Sequence, residues 1–81
     1  MKLAPSQAKV LAEALRALLA GDGRRFDDAL WLGLGDGCAQ AYKALTDHGY
    51  IENAHDLDAI RLTPKGRTLL QRLTESVLLV A

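Results

Sequence analysis

The chain has one cysteine, two prolines and four aromatic residues among its 81 positions. A lone cysteine, Cys38, closes no disulfide within the chain and cannot supply the paired thiolates of a cysteine-rich zinc site. Cys38, His48 and His55 offer no i, i+4 pair that would put two ligands on one helical turn, so neither a metal nor a cofactor is expected. Four aromatics (Phe26, Trp31, Tyr42 and Tyr50) leave the core to leucine and alanine. No apolar run approaches the ~20 residues of a membrane span, so no membrane partner is expected. The opening residues Met1-Lys2-Leu3-Ala4-Pro5 carry no signal-peptide core, which makes a cytoplasmic location the expectation. Ser6 and Ser76 stand isolated in helical contexts, away from any base, so the chain does not read as an enzyme.

Charge of either sign is not in excess. Ten basic residues balance ten acidic ones, and no overall field draws the chain to a polyanion. The balance hides a segregation. Residues 1–21 carry Lys2, Lys9, Arg16 and Glu13, net +2, and residues 59–81 carry Arg61, Lys65, Arg67, Arg72 and Glu75, net +3. Between them, eight acids stand against Arg24, Arg25 and Lys43, net −5. Such a split is either an ordinary solvated surface or the mark of a partner.

What is present is a short globular pattern that forms one domain over residues 1–81, mainly helical with a small hairpin. From Ser6 to Ala20, Val10, Leu11, Ala14, Leu15, Leu18 and Leu19 recur at helical spacing, with Ser6 as a cap and Gly21 as the stop. Phe26 reads as a short extended piece, and Asp27 as the cap of a second helix over Asp28 to Leu32. The run Gly33-Leu34-Gly35-Asp36-Gly37 breaks that helix. It lacks the lysine–serine pair of a phosphate-binding loop and reads as a turn. A third helix, capped by Asp36, runs to about His48, where Gly49 ends it in the left-handed region. Tyr50–Asn53 and Asp58–Leu62 read as two strands around a polar turn. Thr63-Pro64 then opens a last helix, about residues 63–80, with threonine as the cap and proline at its first position. Leu11, Leu15, Leu18, Leu45, Ile51, Leu62, Leu69 and Leu73 are the expected core. The apolar tail Val77-Leu78-Leu79-Val80 either packs on the first helix or forms a dimer interface.

Three blocks in this order carry a resemblance: Leu30-Trp31-Leu32-Gly33-Leu34-Gly35, then Ala44-Leu45-Thr46-Asp47-His48-Gly49-Tyr50-Ile51, then Ile60-Arg61-Leu62-Thr63-Pro64-Lys65-Gly66-Arg67. The second resembles the end of a recognition helix leading into a wing strand. The third is similar to the L-T-x-x-G exit from the wing in MarR-like and PadR-like bacterial regulators. Nearly the whole chain resembles a winged helix-turn-helix domain: three helices, a wing and a C-terminal helix.

The resemblance implies a DNA-binding transcriptional regulator, homodimeric through the C-terminal helix. In such a domain the third helix enters the major groove. It would present Gln40 and Lys43 to bases, while Arg61, Lys65 and Arg67 hold the backbone and Arg24 and Arg25 reach phosphates beside it. The same face also carries Asp36 and Asp47, and the wing carries His55, Asp56 and Asp58 where such wings bear arginine or lysine. Affinity for nucleic acid rests on neutralised phosphates, which these carboxylates oppose. The alternative is a winged-helix protein-interaction module that does not bind DNA.

Overall fold

The structure, a computed structural model, describes the backbone of residues 5–80 and the side chains of residues 6–75. It contains α1 (Pro5–Leu19), α2 (Gly23–Leu34), a 3-10 turn (Gly35–Gly37), α3 (Cys38–Asp47), β1 (Ile51–Glu52), β2 (Arg61–Leu62) and α4 (Pro64–Val80). The two strands pair antiparallel, Ile51 opposite Leu62 and Glu52 opposite Arg61. The fold is mainly helical with a small two-stranded sheet. No helix of the described residues is long and apolar enough to cross a membrane.

Two helix ends use the same device. At the end of α1 the Gly21 amide donates to the Leu18 carbonyl and the Asp22 amide to that of Ala17. At the end of α3 the Gly49 amide donates to Thr46 and the Tyr50 amide to Leu45. Both glycines have positive φ, +84° and +74°, which a residue with a Cβ adopts at a cost. The second of these stops turns the chain directly into β1. Thr63 then closes the other side of the hairpin. Its amide donates to the Tyr50 carbonyl, its hydroxyl donates to the Gly49 carbonyl at 2.6 Å, and the hydroxyl oxygen accepts the Gly66 amide at 3.0 Å. The threonine caps α4, Pro64 takes the first helical position, and the start of α4 is tied to the end of α3.

The core is one cluster. Leu11, Ala14, Leu15 and Leu18 of α1 meet Phe26 and Leu30 of α2, Cys38 and Leu45 of α3, Ile51 and Ile60 of the hairpin, and Leu70 and Leu73 of α4. Six of the eight expected core leucines and isoleucines are buried, and Leu62 and Leu69 are half-buried against the cluster. Val10 and Leu19 lie at the margins of the α1 face, with Leu19 half-exposed.

The second helix differs most from the sequence reading. It begins at Gly23, not Asp28, because the Asp22 carboxylate accepts the Arg25 amide at 3.0 Å and caps it there. Phe26 is therefore helical and wholly buried, with Leu30 one turn on, and Asp27 is no cap. Asp36 does not cap α3 either: it falls inside the 3-10 turn, and no side chain caps that helix. The strands are shorter than expected. Asn53 takes φ +59°, and the Asp56 carbonyl and carboxylate gather the amides of Asp58, Ala59 and Ile60 into turns that leave no ladder. The tail Val77–Val80 continues α4, and its side chains lie outside the described residues.

Candidate functional site

Among the described residues no polar or charged side chain is fully buried; Cys38 is enclosed in the core, and Tyr42 and Asp27 are half-buried. The surface that the sequence singles out is the outer face of α3 with the 53–60 connection beside it. The exposed residues on α3 are Ala39, Gln40, Lys43, Thr46 and Asp47, with Asp36 just before them. Gln40 borders a groove between α3 and the start of α1, shared with Ser6, Gln7, Leu11 and Leu34. Lys43 borders a different cleft, with Tyr42, Asp47 and His55.

Lys43 is not free. Its ammonium lies 3.5 Å from the Asp47 carboxylate, one turn on. Arg24, at the start of α2, lies 3.8 Å from Asp58 of the connection. Both pairs are well exposed and contribute little to stability. Their effect is on potential: each cation expected on this side is matched by a carboxylate at contact distance, and Asp36 and Asp56 are left over.

The remaining cations lie elsewhere. Lys65, in the first turn of α4, sits over the Tyr50 ring with its nitrogen 5.4 Å from the centroid, and the His48 ring stands 5.7 Å from the same tyrosine. Arg61 and Arg67 share a groove with Leu18 and Leu19 at the end of α1. Arg25 lines another groove with Arg16. Only Arg61 and Arg67 of the seven expected contact residues are brought to one groove. Gln40, Lys43 and Arg25 line other grooves, Lys65 lies over Tyr50, and Arg24 stands beside Asp58 at the edge of the Arg61–Arg67 groove.

Beside Lys43, the Tyr42 hydroxyl donates to the Asp27 carboxylate at 2.6 Å, and its ring stands edge-on to Phe26 at 5.5 Å. Burial raises the phenol well above its ordinary value near 10, and the hydrogen bond to Asp27 and that carboxylate's charge add to the shift. The tyrosine is thereby held as a neutral donor. Cys38 is wholly enclosed in the core. Burial pushes its thiol up, and the Asp27 charge pushes it further, which leaves a packing residue and no nucleophile. Among the described residues no three of histidine, cysteine, aspartate and glutamate come together as metal ligands would.

Three features escaped the sequence reading. Asp58 and Arg24 are 34 positions apart, and Tyr42 and Asp27 fifteen, so no local pattern joins them. Trp31 and Leu32 are 55% and 89% exposed, although their apolarity suggests core. A signal for this existed: Phe26 and Leu30 are spaced as one helical face, and Trp31 and Leu32 fall off it. Arg16 and Arg25 line one groove, which their separation along the chain does not show. No protein-family model, curated protein or solved structure matches the chain.

Proposed function

We propose that this chain is a winged-helix domain that binds another protein and not DNA. The order of three helices, a two-stranded hairpin and a closing helix supports the winged-helix reading. So does the way Gly49 and Thr63 join the third helix, the hairpin and the last helix into one corner. The observation that carries the choice of partner is the pairing of Lys43 with Asp47 and of Arg24 with Asp58. A duplex laid against α3 and the connection would have to break those pairs while facing Asp36 and Asp56. Each phosphate it brings would then gain little counterion release. The exposed Trp31–Leu32 pair points the same way, since tryptophan is enriched among the residues that anchor protein interfaces.

A gel-shift series at low salt, with random duplexes and tens of micromolar protein, tests this reading. No shift is expected. A shift that salt abolishes, and whose sequence preference Gln40→Ala relaxes, would restore the regulator reading with Gln40 at the bases.

A further inference from the structure

We propose that the arginine-ringed end of α1 is a docking surface for the acidic α3 face of a second copy of this chain, so that copies associate head to tail. The proposal rests on the protein-binding reading and names the partner. Arg16 and Arg25 flank the last turns of α1 on one side, and Arg61 and Arg67 flank them on the other. Leu19, half-exposed, sits in the second groove. None of the four guanidiniums has an ion-pair partner among the described residues, although Glu13 and Asp58 share their grooves. Guanidinium forks bind carboxylates in two-point geometry. The chain itself carries exposed carboxylates to match: Asp36 in the 3-10 turn before α3, Asp47 at the end of α3, where it also pairs with Lys43, and Asp56 in the connection.

Charge decides between a second copy and a nucleic acid. Glu13 on one side and the Arg24–Asp58 pair on the other interrupt the basic surface, which suits discrete carboxylates better than a continuous phosphate backbone. The formal net charge is zero, so copies meet without overall repulsion. The two faces are different patches on different elements. The contact is therefore heterologous, and it extends into chains unless its rotation closes a ring.

Sedimentation equilibrium of the whole chain at hundreds of micromolar tests this, at low and at high salt. The weight-average mass should exceed the monomer's at low salt and fall back at high salt. A double variant, Arg61→Glu with Arg67→Glu, loses the basic face. A second, Asp36→Lys with Asp47→Lys, loses the acidic one. Each alone should weaken association at least tenfold, and circular dichroism should show both folded, since all four positions are exposed. Mixed in equal amounts, the two should associate again, because each keeps one original face and the two reversed faces complement each other. A monomeric parent at low salt overturns the proposal. So does association that survives both variants, which would place the contact on another surface. If either occurs while duplex DNA still gives no shift, the protein-binding reading stands and only the second copy is lost. A DNA shift that the arginine variant abolishes overturns the reading itself.

Discussion

Replacing Gly66 by alanine sets two effects against each other, and the structure decides the sign. Gly66 is the third residue of α4, where alanine is favoured over glycine by about 1 kcal/mol. A helix-propensity argument alone therefore expects stabilisation. A methyl at this position, however, would run into the Tyr50 carbonyl oxygen and come within 2.6 Å of Leu62 Cδ1. The leucine tip can turn aside. The carbonyl cannot swing away without loss, because it accepts the Thr63 amide that closes the hairpin. Relief must come from lifting α4 off the strands, and overpacking of that kind costs about 2–3 kcal/mol. The net expectation is a loss of about 1–2 kcal/mol, which lowers the melting temperature by roughly 4–16 °C in a domain of this size. Gly37 supplies the control. Its φ is −78°, and the nearest atom a methyl would meet is Leu34 Cβ at 3.8 Å. Gly37→Ala should stabilise by about 0.4–1 kcal/mol. Urea denaturation of both variants, followed by circular dichroism, reads the difference. A Gly66→Ala midpoint at or above the parent's would mean that α4 does not ride on Tyr50 as described.

Leu45, wholly buried on α3, should cost about 2–5 kcal/mol on truncation to alanine. Leu32→Ala, at a position 89% exposed, should stay within about 0.5 kcal/mol in the same assay, and a large loss there would contradict the exposure. Tyr42 makes a pH prediction. Burial, then the hydrogen bond to Asp27, raises its folded pKa above the unfolded value near 10. Its stabilising contribution is complete below that unfolded value and is lost as the pH climbs past it. Urea midpoints between pH 9 and 11 should therefore fall more steeply for the parent than for Tyr42→Phe, and parallel curves would rule out a perturbed phenol.

What could be read in the sequence was what local chemistry sets. The 3.6-residue spacing of Leu11, Leu15 and Leu18, the stops at Gly21 and Gly49, and the Thr63-Pro64 start each involve residues within about one turn of one another. Each stands in the structure where that chemistry puts it. The second helix failed for an equally local reason with a wrong choice in it. Asp27 reads as the cap, but the chain uses Asp22, and Gly23 lets the start of α2 lie against the Leu57 carbonyl and the Ile60 side chain, where a Cβ would not fit. That contact spans more than thirty positions and has no sequence signature.

The candidate site was less legible for the same reason, carried one level further. A cation's value to a partner depends on what sits beside it, and its neighbours here come from distant elements. Counted along the chain, Arg24, Lys43, Arg61 and Arg67 are equal charges. In space the first two are neutralised by Asp58 and Asp47, while the last two are joined by Arg16 and Arg25 around the end of α1. The acidic middle segment thus quenches the helix that the order of elements singles out for recognition, and the basic ends meet on a different surface. A segregation that nearly cancels along the sequence becomes two opposed patches on a neutral molecule. On the proposed reading, short-range attraction between copies would survive where long-range steering toward a polyanion would not.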